Sequence, residues 1–321
     1  MRRPDFFIVG APKSGTTALY ENLRRHPEIF MPELKEPHFF GTDLKSPDFI
    51  RDERAYLSLF DGARGARRAG EASVWYLYSE RAAAEIKEFE PSARIIIMLR
   101  NPVEMIHSLH AQRLYSGNEE LESFEAALEA EAERKKGLRL PPRAYPVEGL
   151  FYREVAKYSA QVRRYLSAFE REQVHVILFD DLRQSPPRVY REACEFLGVG
   201  ARLPEQDARA INPNKRARSK TLRNLLRHPP PLVRAATKAL MPLPLRERVR
   251  KGLKGLNTKY EQRRPMSAQC RERLRAELAP DVERLSELLG RDLTHWLGAD
   301  PAHVRGGETP PKGVAAPATR R

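Results

Sequence analysis

The apolar run Phe6-Phe7-Ile8-Val9 passes directly into Gly10-Ala11-Pro12-Lys13-Ser14-Gly15-Thr16-Thr17, and this junction constrains the fold more than any other part of the chain. Four consecutive apolar residues suit a strand buried on both faces, as in a parallel sheet. A glycine-bounded, hydroxyl-rich turn that hands over to a helix is a cradle for phosphate. Its backbone N–H groups converge, and the helix N-terminus adds partial positive charge. In nucleoside-triphosphate loops of the pattern G-x-x-x-x-G-K-[ST] the lysine follows the second glycine. Here Thr16 holds that place, and Lys13 lies inside the loop, three residues after Gly10. The cradle suits a 5′-phosphate, while its cation is set to meet a different leaving group.

Strand and helix signals alternate along the rest of the chain. A helix is expected over about Thr16–Arg25, loops and short helical pieces over 31–66, and a strand then a loop over Gly70–Tyr78. Arg81–Phe89 reads as a helix and Arg94–Leu99 (RIIIML) as a buried strand, with Pro102 opening the next helix at its first position. Leu121–Lys136 and Leu150–Phe169 read as helices, Val174–Phe179 as a strand and Arg188–Leu197 as a helix. Ser267 is a natural N-cap for a last amphipathic helix, 267–290, with Leu274, Leu278, Val282, Leu285 and Leu289 as its stripe. This order predicts an α/β, three-layer, P-loop-like fold: a central parallel sheet flanked by helices. One domain is expected over 1–297, with a disordered Gly/Pro/Ala/Arg-rich tail at 298–321.

Composition narrows the class. Apolar content of 41% and charged content of 31% describe a globular chain. No apolar run reaches membrane-spanning length, no secretory leader is visible, and Cys194 and Cys270 lack metal or redox spacing. Buried free thiols and a cytoplasmic location are the expectation. The net charge of +14 is concentrated, because residues 215–264 hold sixteen Lys/Arg against two Glu and so carry all of it. That block, within a segment at 213–264, reads as a lid over an anionic ligand, a peripheral contact with anionic membrane, or a solvated surface. No aromatic interleaving accompanies the charge, so nucleic acid is not an expected partner. The oligomeric state stays open.

A second anion pocket is suggested by RIIIMLRNPVEMIHSLH at 94–110. Arg100 stands at the carboxyl end of a central strand, where open α/β sheets bind ligands. Ser108 follows it by about two helical turns. With the first loop, this pair suits a nucleotide carrying phosphate at two ends. Asp180-Asp181 after VHVILF imitates a metal-binding carboxylate but is better explained as a helix cap before Leu182. His107 and His110, one turn apart, read as core or surface groups.

These motifs together resemble the PAPS-dependent sulfotransferases, whose donor is 3′-phosphoadenosine 5′-phosphosulfate. The bacterial-type members and the carbohydrate and heparan type are nearest in motif. The family's 5′-phosphosulfate loop is matched by Pro12, Lys13, Ser14, Gly15, Thr16 and Thr17. Its 3′-phosphate motif is matched by Arg100, Asn101, Pro102 and Ser108, and its catalytic Glu beside a His by Leu34-Lys35-Glu36-Pro37-His38-Phe39-Phe40. Val176–Leu182, Phe196-Leu197-Gly198 and Leu289-Gly290-Arg291-Asp292-Leu293 with Trp296 are also similar.

The resemblance implies sulfuryl transfer from PAPS to a hydroxyl of a carbohydrate, glycolipid or small metabolite, with PAP as product and no metal. Glu36 would be the general base with His38 second in line, and Lys13 would neutralise the leaving bisphosphate. Two departures stand out: Ala18 replaces an aromatic residue found after the loop in the small-molecule class, and Lys215, Arg216 and Arg218 are only a loose counterpart of the family's basic C-terminal element. The competing readings are a P-loop kinase-like phosphotransferase and an inactive nucleotide- or membrane-binding protein of the same fold.

Overall fold

The computed structural model describes residues 2–142, 144–200, 215–219, 222, 225, 249, 252–253, 255–261 and 263–298. Five strands, β1 (Phe6–Gly10), β2 (Ile29–Phe30), β3 (Arg68–Ala72), β4 (Arg94–Leu99) and β5 (Val174–Leu178), form one parallel sheet in the order β2-β3-β1-β4-β5. Alternate side chains of a strand face opposite sides. Accordingly Phe7, Val9, Ile95, Ile97 and Leu99 enter one core, whereas Phe6, Ile8, Ile96, Met98 and Ile177 enter the other.

The first core is closed by α3 (Ala82–Phe89), α4 (Pro102–Ser116), α8 (Tyr158–Ala168) and the last helix, α11 (Ala268–Leu289). The second is closed by α1 (Thr16–Arg24), α9 (Phe179–Gln184) and α10 (Pro186–Leu197). The expected three layers are therefore present. Because α1 leaves β1 on one face and α4 leaves β4 on the other, the carboxyl ends of these neighbouring strands open a crevice, the usual ligand position in such sheets.

Several boundaries follow from caps. Asn101 accepts from the N–H groups of Val103 and Glu104, and Pro102 follows it at the first turn of α4. Ser267 accepts from the N–H of Cys270 and starts α11 where expected. Both cysteines are buried free thiols.

Two expected helices are broken. In place of one helix over 121–136 there are α5 (Phe124–Glu129) and α6 (Glu131–Lys135). Ahead of them, Glu119 turns inward to a buried bidentate pair with Arg134 at 2.7 and 2.7 Å, joined by the Tyr152 hydroxyl at 2.9 Å. In place of one helix over 150–169, α7 (Tyr152–Ala156) is separated from α8 at Lys157, whose ψ of 86° is not helical. The break frees carbonyls, and the buried Gln161 amide donates to those of Glu154, Val155 and Lys157 at 3.2, 3.2 and 2.8 Å. Among the described residues no helix is long and apolar enough to cross a membrane.

A two-stranded antiparallel ribbon, β6 (Lys215–Ala217) with β7 (Thr258–Tyr260), lies beside α4. Most of the basic segment expected to be a lid lies outside the described residues, as does the tail beyond 298.

Candidate active site

The loop at residues 10–17, the candidate donor loop, is shaped by its own backbone. Gly15 caps α1 with φ +93°, and a Cβ there would come within 2.6 Å of Leu182 Cδ2, so both conformation and space require glycine. Lys13 adopts φ +60° in the left-handed region. Ser14 is fully buried, with Oγ donating to the Pro12 carbonyl at 3.4 Å. Thr16 and Thr17 form the start of α1, which has no acidic residue in its first turn and no side-chain cap. The positive end of the helix dipole is thus left for an anion. Arg100 reaches across from β4 and donates to the Lys13 carbonyl at 3.4 Å, joining the two strand ends.

The far pocket is built around Arg100 and Ser108. The Arg100 guanidinium lies 4.6 Å above the Phe179 ring, 4.0 Å from Glu104 Oε2, and is mostly buried. Ser108 is buried two turns along α4. The sequence reading missed Arg263. Burial lowers the Arg100 pKa most, and the positive charge of Arg263 lowers it further.

Burial also lowers the pKa of Arg263, against the pull of Glu104, and its Nη1 is buried without a hydrogen-bond partner. Arg271 bonds the Glu104 carboxylate, and burial of that carboxylate is outweighed by Arg271, Arg100 and Arg263, so it stays ionised. Arg271 and Arg100 thus both lie against Glu104, and the charge of Arg263 acts on the same carboxylate. A buried guanidinium nitrogen with no partner among the described residues, in this positive surrounding, suits a polyanion. His107, above it, is pushed down to about 4 by burial and then by Arg263.

The side chains of Lys215 and Arg216 lie outside the described residues. Arg218 is exposed, and its backbone N–H is bound to the Asn257 carbonyl at 2.8 Å. A sequence signal for Arg263 existed, the pair Arg263-Arg264 just before the Pro265–Ser267 cap, but it is hidden among sixteen cations.

The third component is the segment after β2. Glu36 and His38 have φ of +66° and +50°. Glu36 Oε1 is 2.5 Å from Lys35 Nζ, and its Oε2 is 3.6 Å from His38 Nε2. Burial raises the Glu36 pKa, but the Lys35 charge and His38 outweigh it and hold the carboxyl well below the usual carboxylate range. Burial depresses the His38 imidazole, so it is neutral at neutral pH despite Glu36. Its ring rests on Phe49 at 4.4 Å and meets Tyr76 edge-on at 5.8 Å. The Arg51 guanidinium ties the following turn by donating to the carbonyls of His38, Phe39, Phe40, Gly41 and Leu44, at 2.6–3.0 Å. His110, by contrast, bonds the Leu121 carbonyl at 2.9 Å beside Phe124 and is a core residue.

Left-handed backbone costs a non-glycine residue on the order of 1–3 kcal/mol and persists where the surroundings enforce it, commonly at functional sites. Among the described residues four non-glycines adopt it: Lys13, Glu36, His38 and Arg139. Three of the four are the residues singled out for chemistry.

Asp180 and Asp181 are not the helix cap expected from sequence, which falls at Leu178. They lie in the first turn of α9, where Asp180 accepts from Trp296 Nε1 at 2.7 Å. Asp181 pairs with Arg291 through two bonds of 2.6 and 2.7 Å. Asn101 Nδ2 donates to the Trp296 carbonyl at 2.9 Å. The segment Leu289–Trp296 is thereby fastened next to Arg100.

The loop after β1 and the Arg100–Ser108 pair thus lie at the carboxyl ends of two adjacent parallel strands, where open α/β sheets bind ligands. Residues 3–217 match the family model for the sulfotransferase domain, and the chain belongs to that family. It is 28% identical to carbohydrate sulfotransferase 15 of Homo sapiens over 279 residues, covering 69% of this chain and 48% of that protein. Over 125 residues it is 34% identical to heparan sulfate glucosamine 3-O-sulfotransferase 6 of Homo sapiens, covering 39% and 34%. The chain thus spans about half or less of the length of these curated relatives. A solved sulfotransferase from Alicyclobacillus acidocaldarius is 35% identical, with a TM-score of 0.69, covering 92% of this chain and 99% of that one.

Proposed function

We propose that this protein transfers the sulfuryl group of PAPS to a hydroxyl of a carbohydrate-type acceptor. The observation that carries the reading is the left-handed backbone shared by Lys13, Glu36 and His38. Strain at a cation, a carboxylate and an imidazole is explained by a reaction that needs all three held in place. The acceptor class is supported by the carbohydrate and heparan sulfate sulfotransferases among the relatives.

In this reading the 5′-phosphosulfate rests on the N–H groups of residues 14–17 and the hydroxyls of Thr16 and Thr17. The 3′-phosphate lies against Arg100, Ser108 and Arg263. As the acceptor oxygen bonds to sulfur, the bond from sulfur to the 5′-phosphate oxygen breaks, and Lys13 neutralises charge gathering on that oxygen. The acceptor's proton passes to Glu36, which Lys35 keeps ionised, at the cost of a weaker base. Neutral His38 orients the Glu36 carboxylate.

The test is incubation with 35S-labelled PAPS and a panel of glycans, glycolipids and small alcohols, following label transfer and PAP release. Transfer to a carbohydrate hydroxyl is expected. Transfer only to non-carbohydrate acceptors overturns the acceptor class, and phosphate transfer from ATP without any sulfate transfer overturns the reaction.

A further inference from the structure

Glu71 lies in β3, beside β1, and its side chain is completely enclosed. Three hydroxyls donate to it: Tyr56 of α2 (Glu53–Ser58) and Tyr76 to Oε1 at 3.1 and 2.7 Å, and Ser73 to Oε2 at 2.7 Å. Two of these hydroxyls have a second partner, and in both cases it is backbone of the 36–40 loop. Ser73 Oγ accepts from the His38 N–H at 3.1 Å, and the Tyr76 hydroxyl accepts from the Phe40 N–H at 3.2 Å. The Glu36 N–H donates to the carbonyl of Ala72, next to Glu71, at 3.0 Å. The Tyr76 ring is also the edge against which His38 packs.

We propose that Glu71 is a positioning residue for sulfuryl transfer, holding the Glu36–His38 pair in its strained backbone form through the Ser73 and Tyr76 hydroxyls. The inference rests on the reading of Glu36 as general base. A hydroxyl donating to a fixed acceptor is locked in rotation, with its lone pairs directed at whatever donates to it. Remove the acceptor and the hydroxyl turns freely, so the N–H groups of His38 and Phe40 lose a fixed partner. The left-handed residues between them are then no longer over-determined.

Burial holds the Glu71 carboxyl up at about 7, against the three donors and Lys35. Either protonation state retains an oxygen that accepts, and the amide of glutamine retains one, with its NH2 standing where the second oxygen was. A leucine of similar bulk retains none.

The experiment compares Glu71→Leu, Glu71→Gln and Ser73→Ala for kcat with PAPS and an accepted carbohydrate, and for PAP affinity by calorimetry. Glu71→Leu should lower kcat about tenfold or more with PAP affinity within about twofold, as loss of aligned geometry does. Glu71→Gln should give a kcat between those of wild type and Glu71→Leu, because its amide returns an accepting oxygen to one of the two chains and sets an NH2 against the other. Ser73→Ala should lower kcat about five- to tenfold and add little to Glu71→Leu, since both cut one chain of bonds.

Unchanged kcat in Glu71→Leu, PAP affinity falling in step with kcat, or losses that multiply in the double variant each overturn the proposal. If Glu71→Leu fails to bind PAP at all, Ser73→Ala decides: full kcat overturns the proposal, and reduced kcat with intact PAP binding supports it. Glu36→Gln is measured alongside. Full activity there refutes the base itself and this inference with it, whereas loss in Glu36→Gln beside full kcat in Glu71→Leu refutes Glu71 alone.

Discussion

The donor loop at residues 10–17 and the base loop at residues 36–40 both contain left-handed non-glycine backbone, yet they are supported from different distances. The donor loop carries much of its shape within eight consecutive residues. Gly10 and Gly15 take positive φ, Ser14 folds back on Pro12, and α1 begins at Thr16. The base loop is held from outside by Arg51, Ser73, Tyr76 and, behind them, Glu71, up to 36 residues away along the chain. The first can be recognised in any chain that repeats its local pattern. The second exists only once β3 has docked beside β1.

Replacing a strained residue by glycine separates the two cases most sharply. Lys13→Gly should lower kcat by about 10³-fold or more, through loss of the cation facing the leaving group. Glycine accepts φ +60° without penalty, so thermal stability should hold or rise by up to about 1 kcal/mol. His38→Gly should also relieve strain but lose the packing on Phe49 and Tyr76, for a net loss of about 1–3 kcal/mol. Melting curves and turnover of the two variants check this. A stability gain in both would show that the base loop is no more dependent on its surroundings than the donor loop.

The outside support of the base loop also predicts a pH dependence. Glu71 takes its proton at about 7 in the fold, against an ordinary value of 4.5. Between those values the folded chain keeps a proton that the unfolded chain has released. The resulting stability is therefore complete below about pH 4.5 and lost as pH rises through 7, up to about 3 kcal/mol in all. Urea unfolding at pH 5 and pH 8 should show wild type losing more stability than Glu71→Gln over that interval. Equal losses would remove Glu71 from the pH response.

The far pocket stands between the two extremes, with Arg100 and Ser108 close in sequence and Arg263 remote. Arg263→Ala should weaken PAP binding by about 10–100-fold, the worth of a charge-assisted bond, and leave 5′-AMP binding unchanged. Arg218→Ala, at an exposed site, should leave the binding of both nucleotides unchanged. Calorimetry with the two nucleotides decides. Equal weakening of both ligands by Arg263→Ala would place that arginine away from the 3′-phosphate.

What could be read from the sequence follows the same division. Strands β1 and β4 announce themselves, because burial on two faces writes a nearly unbroken apolar run, and β5 follows with one half-buried interruption at His175. Arg100 and Ser108 are legible because one strand end and one helix carry both. The helix breaks at Ala130 and Lys157 are not legible. The first accompanies the burial of Glu119 against Arg134, and the second is accommodated by the Gln161 amide, and neither contact leaves a periodic trace. Glu36 and His38 were found through resemblance to a family, not through any local pattern. Their supports, Glu71 and Arg51, look like ordinary charged residues of a strand and a loop. Arg263 was lost in a run of like charges, where composition alone distinguishes no single member.

The smallest effect concerns how the closing segment braces the far pocket while leaving the donor loop alone. Arg291 and Asp181 form a two-pronged pair that is partly open to solvent, and the same segment brings the Trp296 carbonyl to Asn101, the cap beside Arg100. Arg291→Ala should cost about 0.5–1 kcal/mol of stability, discounted for that exposure. Because Asp180 still holds Trp296 through its indole N–H, Asn101 keeps its partner and α4 keeps its cap. PAP affinity should then fall by no more than about twofold, since the phosphate ligands themselves have not moved. A tenfold loss of PAP binding in Arg291→Ala would mean that the brace sets the position of Arg100 directly, making the far pocket as dependent on remote contacts as the base loop.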